Sequence, residues 1–233
     1  MVYFFTKNSF FSRRAFALAL FSAFSAAFMV FEAQSYAQSS YGSYSDLSDS
    51  ESAVLSTFWT PEDCIPSSPF KKSINCNALN GRDLKFIPQL HGYWPSTKTD
   101  KPYSGSFKFN ELSKPLQKEL NYAYYGDTSL IKHEWKKHGK KSGMTPEAFF
   151  TKAIDEYKAH PCPEKIYNNA GKCISYDDVK SAYSSVYPLQ ALMCNTDEDG
   201  QYLTEIRIYA DAESGEFDHT TCDTSKPVCI RKI

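Results

Sequence analysis

The chain has 233 residues, 42% of them apolar and 23% charged, which excludes a disordered protein and suits one large domain or two small ones. Lysine and arginine total 26 against 27 for aspartate and glutamate, a formal net charge of -1, so any site for a polyanion must be local. Seven cysteines are too many for an idle cytosolic chain.

Residues 1–37 read as an export signal. Lys7, Arg13 and Arg14 form a basic start, residues 15–31 are an uncharged apolar run, and Ser35-Tyr36-Ala37 supplies a small-x-small cleavage pattern. At about 1.5 Å per residue the run is too short to cross the roughly 30 Å hydrocarbon layer as an uncleaved anchor. Ser12-Arg13-Arg14-Ala15-Phe16 also resembles a twin-arginine signal. Residues 38–52 are serine-rich and of low complexity, the composition of a flexible tether, and the folded domain is expected to cover 53–233. The expected location is therefore periplasmic or secreted. There, cysteines 64, 76, 162, 173, 194, 222 and 229 form disulfides before they bind metal, with one thiol left over. Tight C-x-x-C pairs are absent, which argues against a structural zinc cluster.

Along the folded part, 53–59 and 84–90 read as strands, although Pro88 pushes the second toward an edge or a bulge. Helices are predicted over 111–125, 130–139 and 145–157. In the third, Thr145 is the N-cap, Pro146 the first helical position, and Phe149, Phe150, Ala153, Ile154 and Tyr157 the apolar face. Ser175-Tyr176-Asp177-Asp178 resembles a capping box, followed by Val179, Ala182, Tyr183 and Val186 at helical spacing. Strands return at 189–194 and 202–209. With no internal repeat and no second low-complexity stretch, one α+β domain of helices and antiparallel strands is the simplest architecture.

Two segments carry chemistry. In Gln89-Leu90-His91-Gly92-Tyr93-Trp94-Pro95-Ser96 a histidine ends a predicted strand just before a turn, which presents His91 at a rim. A satisfied polar histidine beside a core tryptophan explains that fragment as well. In Leu130-Ile131-Lys132-His133-Glu134-Trp135-Lys136-Lys137-His138-Gly139, Glu134 and His138 share one helix face, and His133 and Lys137 share the next stripe. A solvated helix accounts for the charges but for neither the two histidines nor Trp135. The H-E-x-x-x-H spacing is near the zincin H-E-x-x-H. Five residues turn about 500°, however, so His133 and His138 diverge by roughly 140° and two-histidine zinc ligation is disfavoured.

Together, H-G-x-W-P and the later H-E-W-x-K-H-G resemble the paired active-site segments of the ribonuclease T2 family of secreted endoribonucleases. The likeness runs from Val54-Leu55-Ser56 through Cys194-Asn195 and Leu203-Thr204-Glu205-Ile206 to the last cysteine. The resemblance implies a central antiparallel sheet flanked by helices and stapled by disulfides, a single-stranded RNA substrate, and no metal or other cofactor. It implies His91 and His138 as the acid/base pair, Glu134 and Lys137 as orienting and charge-stabilising groups, and His133 as a phosphate contact.

RNA carries its own nucleophile, the 2'-hydroxyl, so two imidazoles suffice: one takes that proton and the other protonates the departing 5'-oxygen. Lys137 is the natural donor to the five-coordinate phosphorane. The sequence alone leaves open which of the two starts as base; the assignment carried forward is His138 as base and His91 as acid. The product would be a 2',3'-cyclic phosphate, hydrolysed in part to a 3'-phosphate, and DNA should be inert. Trp94 and Tyr93 would stack on a base, with core packing the equal alternative. Ser96 stands where many family members carry an acidic base-reading residue, which leaves base preference open. Lys132, Lys136, Lys140 and Lys141 would draw in the backbone locally, or simply solubilise the surface.

By the same resemblance, Cys64 is expected to pair with Cys76, Cys162 with Cys173 and Cys194 with Cys229. Cys222 is left over because Tyr209 stands where relatives often have cysteine. The family crosslink near the motifs is missing as a whole. A monomer without stable membrane association after signal cleavage is expected. Two rivals remain: a catalytically weak RNA-binding or interaction protein on the same scaffold, and a metallohydrolase using His133 and His138.

Overall fold

The computed structural model describes residues 53–68, 71–72, 74–96, 99–210 and 217–233. The export signal, its cleavage site and the serine-rich tether lie outside them.

Strand β1 (Ala53–Phe58) leads into a short helix α1 (Thr60–Asp63), and β2 (Gln89–Trp94) follows after two 3-10 turns. Helices α2 (Lys114–Ala123), α3 (Thr128–Lys137) and α4 (Pro146–Ala159) come next, then α5 (Glu164–Tyr167), β3 (Cys173–Ile174) and α6 (Tyr176–Ser184). The chain closes with β4 (Leu189–Asp197), β5 (Gly200–Ala210), β6 (His219–Thr220) and β7 (Val228–Cys229). The fold is α+β, with the main sheet ordered β2-β1-β5-β4-β6 and the long β5 at its centre. Its major pairings are antiparallel, as expected. Two short parallel pairings, β4 with β6 and β5 with β7, were not foreseen.

Each longer helix begins where a side chain can satisfy a free N–H at its start. Ser113, Thr145 and Ser175 accept from the N–H of Leu116, Ala148 and Asp178, and Asp127 accepts from those of Ser129 and Leu130. Each such cap contributes about 1 kcal/mol. The core forms where the apolar faces of these helices meet the sheet: Leu55, Leu90, Leu120, Ile131, Phe149, Phe150 and Leu192 are fully buried. Trp135, whose presence a solvated helix did not explain, packs against Tyr103, Phe107, Phe149 and Phe150. Among the described residues no helix is long and apolar enough to cross a membrane.

The structure corrects several boundaries. Residues 84–90 are not one strand. The Asp83 carboxylate accepts from the Lys85 N–H and starts a 3-10 turn over Leu84–Phe86, and pairing begins only after Pro88, which has no N–H to donate. Phe109–Glu111 forms a separate turn, so α2 starts later than predicted. Val186 lies beyond α6 and is 57% exposed, not part of its apolar face.

The cysteines also need correction. Cys64 pairs with Cys76 as expected, but Cys173 pairs with Cys229 and Cys194 with Cys222, and Cys162 is the free thiol. Strand register decides this. Cys173 stands directly opposite Cys229 in the β3–β7 ladder, and the parallel run of β6 along β4 carries Cys222 to Cys194. Cys162 is buried beside the Tyr183 hydroxyl, where burial pushes its thiol up to about 12 and keeps it un-ionised and inert.

Candidate active site

His91 owes its position to an irregularity in β2. Ser56 of β1 pairs with Gly92 and Thr57 with Leu90, so His91 is an inserted residue with no partner of its own. A bulge of this kind reverses the inward/outward alternation beyond it. Leu90 and Tyr93 consequently enter the core, while His91, Gly92 and Trp94 share the other face. Tyr93 packs against Phe149 and is buried, so the expected base-stacking role for it is corrected: its ring is core.

Helix α3 lies across that face and brings down Glu134, which is 1% exposed. Its two carboxylate oxygens face the two histidines: Oε1 is 3.9 Å from His91 Nε2, and Oε2 is 3.9 Å from His138 Nε2. The Trp94 indole N–H donates to Oε2 at 2.8 Å. Trp94 stacks on the His138 ring at 5.3 Å and meets the His91 ring edge-on at 5.1 Å. The tryptophan is thereby built into the cluster as a spacer between the imidazoles.

Gly92 makes this approach feasible, because a Cβ there would overlap Glu134 Oε2 and Trp94 Nε1. Gly139, just after His138, similarly leaves room for the Trp135 and Phe149 rings. The two glycines of the motifs are thus packing requirements of the site itself.

The histidines differ electrostatically. His138 caps the C-terminal end of α3 and its side chain is 20% exposed, but Nε2 is covered and has no hydrogen-bond partner among the described residues. Burial pushes its imidazole down to about 4, with the charges of Lys137, His91, Lys141 and His133 adding to the effect. It is therefore neutral at mildly acidic and neutral pH. The Glu134 carboxyl is raised by burial, against the opposing pull of His91, the Trp94 hydrogen bond, His133 and Lys137.

His91 is 21% exposed and is held from its other side by residues that sequence reasoning did not single out as functional. Its Nδ1 lies 3.1 Å from Glu205 Oε1 and 3.3 Å from Ser56 Oγ, and Phe58 stacks on its ring at 4.1 Å. Arg207 donates to both oxygens of Glu205, and its guanidinium carbon sits 5.0 Å from the Trp94 ring centre. The available signal was the T-E-I-R-I run of β5, which sets two opposite charges two residues apart on one face of the strand.

A groove of about 600 Å³ opens beside this cluster, lined by Phe58, Asp63, Gln89, His91, Leu130 and His133 among others. His133 and Lys137 lie exposed on the neighbouring stripe of α3, as the helical spacing predicted; of the two, His133 lines the groove. Lys132, Lys136, Lys140 and Lys141 are exposed around the helix end, and Ser96 is exposed beyond β2. Among the described residues no three His, Cys, Asp or Glu side chains are grouped as a metal ion would require.

Comparison with known proteins bears on the family and the fold. The Ribonuclease T2 family model matches residues 51–225. A ribonuclease of Aeromonas hydrophila is 30% identical over 113 residues, 48% of this chain and 47% of its own length, so the chain spans about half the length of that curated relative. Among solved structures, the self-incompatibility associated SF11-RNase of Nicotiana alata superposes with a TM-score of 0.56 at 20% identity, covering 79% of this chain and 100% of that one. Ribonuclease MC1 from bitter gourd seeds gives 0.52 at 22% identity, covering 75% and 97%. Ribonuclease NT in complex with 5'-AMP gives 0.54 at 17%, covering 79% and 99%. These structural likenesses concern the fold. With the family match extending across both motif segments, the chain belongs to the ribonuclease T2 family.

Proposed function

We propose that the protein is a metal-independent endoribonuclease that cleaves single-stranded RNA by transphosphorylation. The observation that carries this reading is the pair of imidazole Nε2 atoms, each 3.9 Å from a different oxygen of the one buried carboxylate, Glu134. His138, held neutral, takes the 2'-hydroxyl proton. The 2'-oxygen bonds to phosphorus, the bond to the 5'-oxygen breaks, and cationic His91 protonates that oxygen. Nε2 of His138 is covered at rest, so this reading requires the ring to turn before it meets the hydroxyl. Lys137 stabilises the phosphorane charge and His133, on the groove wall, contacts a phosphate. Phe58 and Leu130 give the groove an apolar wall for a base, the kind of surface that holds single-stranded RNA.

The reading extends to location. Three disulfides among the described residues fit an oxidising compartment, which supports the periplasmic or secreted assignment read from residues 1–37. DNA, lacking the 2'-hydroxyl, is expected to be inert, and the working unit is expected to be a monomer.

Incubating the protein with single-stranded RNA in EDTA and identifying the product ends tests the reading. Cyclic 2',3'-phosphate termini, giving way to 3'-phosphates, are expected. Binding without turnover would favour the RNA-binding alternative, and activity abolished by EDTA would favour metal-assisted hydrolysis.

A further inference from the structure

We propose that Glu205, braced by Ser56 and Arg207, is a positioning residue that aims His91 Nε2 at the leaving 5'-oxygen; this rests on the ribonuclease reading above. The three residues come from two neighbouring strands and meet on the site face of the sheet. Phe58 stands opposite Glu205 and Ser56 opposite Arg207 in the β1–β5 ladder. Glu205 is 8% exposed and Ser56 fully buried. The Ser56 hydroxyl donates to Glu205 Oε1 at 2.5 Å, and Arg207 donates from Nε to Oε1 at 2.9 Å and from its terminal nitrogen to Oε2 at 3.2 Å.

An ionised carboxylate only accepts hydrogen bonds, so His91 Nδ1, 3.1 Å away, must carry a proton and donate it to Glu205. Burial works against the charge on Glu205, but the hydrogen bonds from His91, Arg207 and Ser56 bring its carboxyl down to about 2, so it stays ionised wherever imidazole titrates. Fixing the proton on Nδ1 leaves Nε2 as the nitrogen that exchanges protons with substrate.

The ring has little freedom left. Glu205 holds its Nδ1 side, Glu134 faces its Nε2 side at 3.9 Å, and Phe58 covers its plane at 4.1 Å. As general acid, His91 gives the Nε2 proton to the 5'-oxygen as its bond to phosphorus breaks, and the ring returns to the neutral Nδ1–H form that Glu205 already holds. Without Glu205 the neutral ring can adopt the other tautomer and turn, so the protonated Nε2 is no longer aimed.

Leaving-group dependence separates this role from a merely structural one. Glu205→Gln keeps the shape but removes the charge. Its turnover is compared with wild type on UpG, whose 5'-alkoxide needs protonation, and on uridine 3'-(4-nitrophenyl phosphate), whose phenolate departs without it. We expect kcat on UpG to fall about 10- to 100-fold with KM within about twofold, and kcat on the nitrophenyl ester to fall less than about threefold. Equal losses on both substrates, or none on UpG, would overturn the proposal. Should Glu205→Gln fail to fold by circular dichroism, Ser56→Ala carries the same test, with a smaller but equally selective loss on UpG. A wild-type protein inert toward both substrates would overturn the ribonuclease reading itself. Wild-type turnover with unselective losses would overturn the role of Glu205 alone.

Discussion

With alanine at position 138, cleavage of single-stranded RNA is expected to fall about 10²- to 10⁴-fold at neutral pH while the fold persists, the range a positioned general base contributes. The side chain lies at the end of α3 and is partly exposed, so its removal opens little of the core. The same residue sets the acid limb of the pH–rate profile. Burial, then the charges of Lys137, His91, Lys141 and His133, lowers the His138 imidazole from the ordinary 6.5 to about 4. A lowered imidazole stays neutral, and thus able to accept a proton, until the pH drops to that value. Activity as kcat/KM should therefore persist on the acid side and fall with a midpoint nearer 4 than 6.5. A midpoint near 6.5, or full activity in the His138→Ala variant, would show that another group is the base.

Adding one methyl group at Gly92 is expected to be almost as damaging. A Cβ there overlaps Glu134 Oε2 and Trp94 Nε1, and neither can retreat freely, because Glu134 is buried and the indole is stacked on His138. Overpacking of this kind costs about 1–3 kcal/mol in stability, readable by urea or thermal unfolding. The larger consequence is geometric. Moving the Glu134 carboxylate from between the two imidazoles misplaces both of them, and a displacement of about 1 Å can cost on the order of 100-fold in rate. Gly92→Ala should thus fold with reduced stability and lose far more activity than stability. An unchanged rate would mean that the position of Glu134 does not matter to catalysis.

The parts of this site that were legible in the sequence are those encoded locally. Helical spacing placed Glu134 with His138 and His133 with Lys137, and the cap residues Thr145 and Ser175 marked the helices that they start. What escaped was encoded by pairing across the sheet. The bulge at His91 appears only once β1 and β2 are in register, so nothing local indicated that Tyr93 would turn inward while Trp94 turned toward the site. Glu205 is 114 positions from His91 and 149 from Ser56, and only the β1–β5 register brings the three together. The cysteines follow the same logic. Six cysteines allow fifteen pairings, and it took the opposition of Cys173 to Cys229 to choose among them.

The most direct test of the two-histidine account is to measure UpG cleavage in EDTA for wild type, His91→Ala, His138→Ala and the double variant. Groups that act as a unit are strongly non-additive, so each single variant should lose nearly as much rate as the double. Losses that multiply independently, or a single variant that retains the wild-type rate, would contradict the claim that both imidazoles serve one scissile phosphodiester.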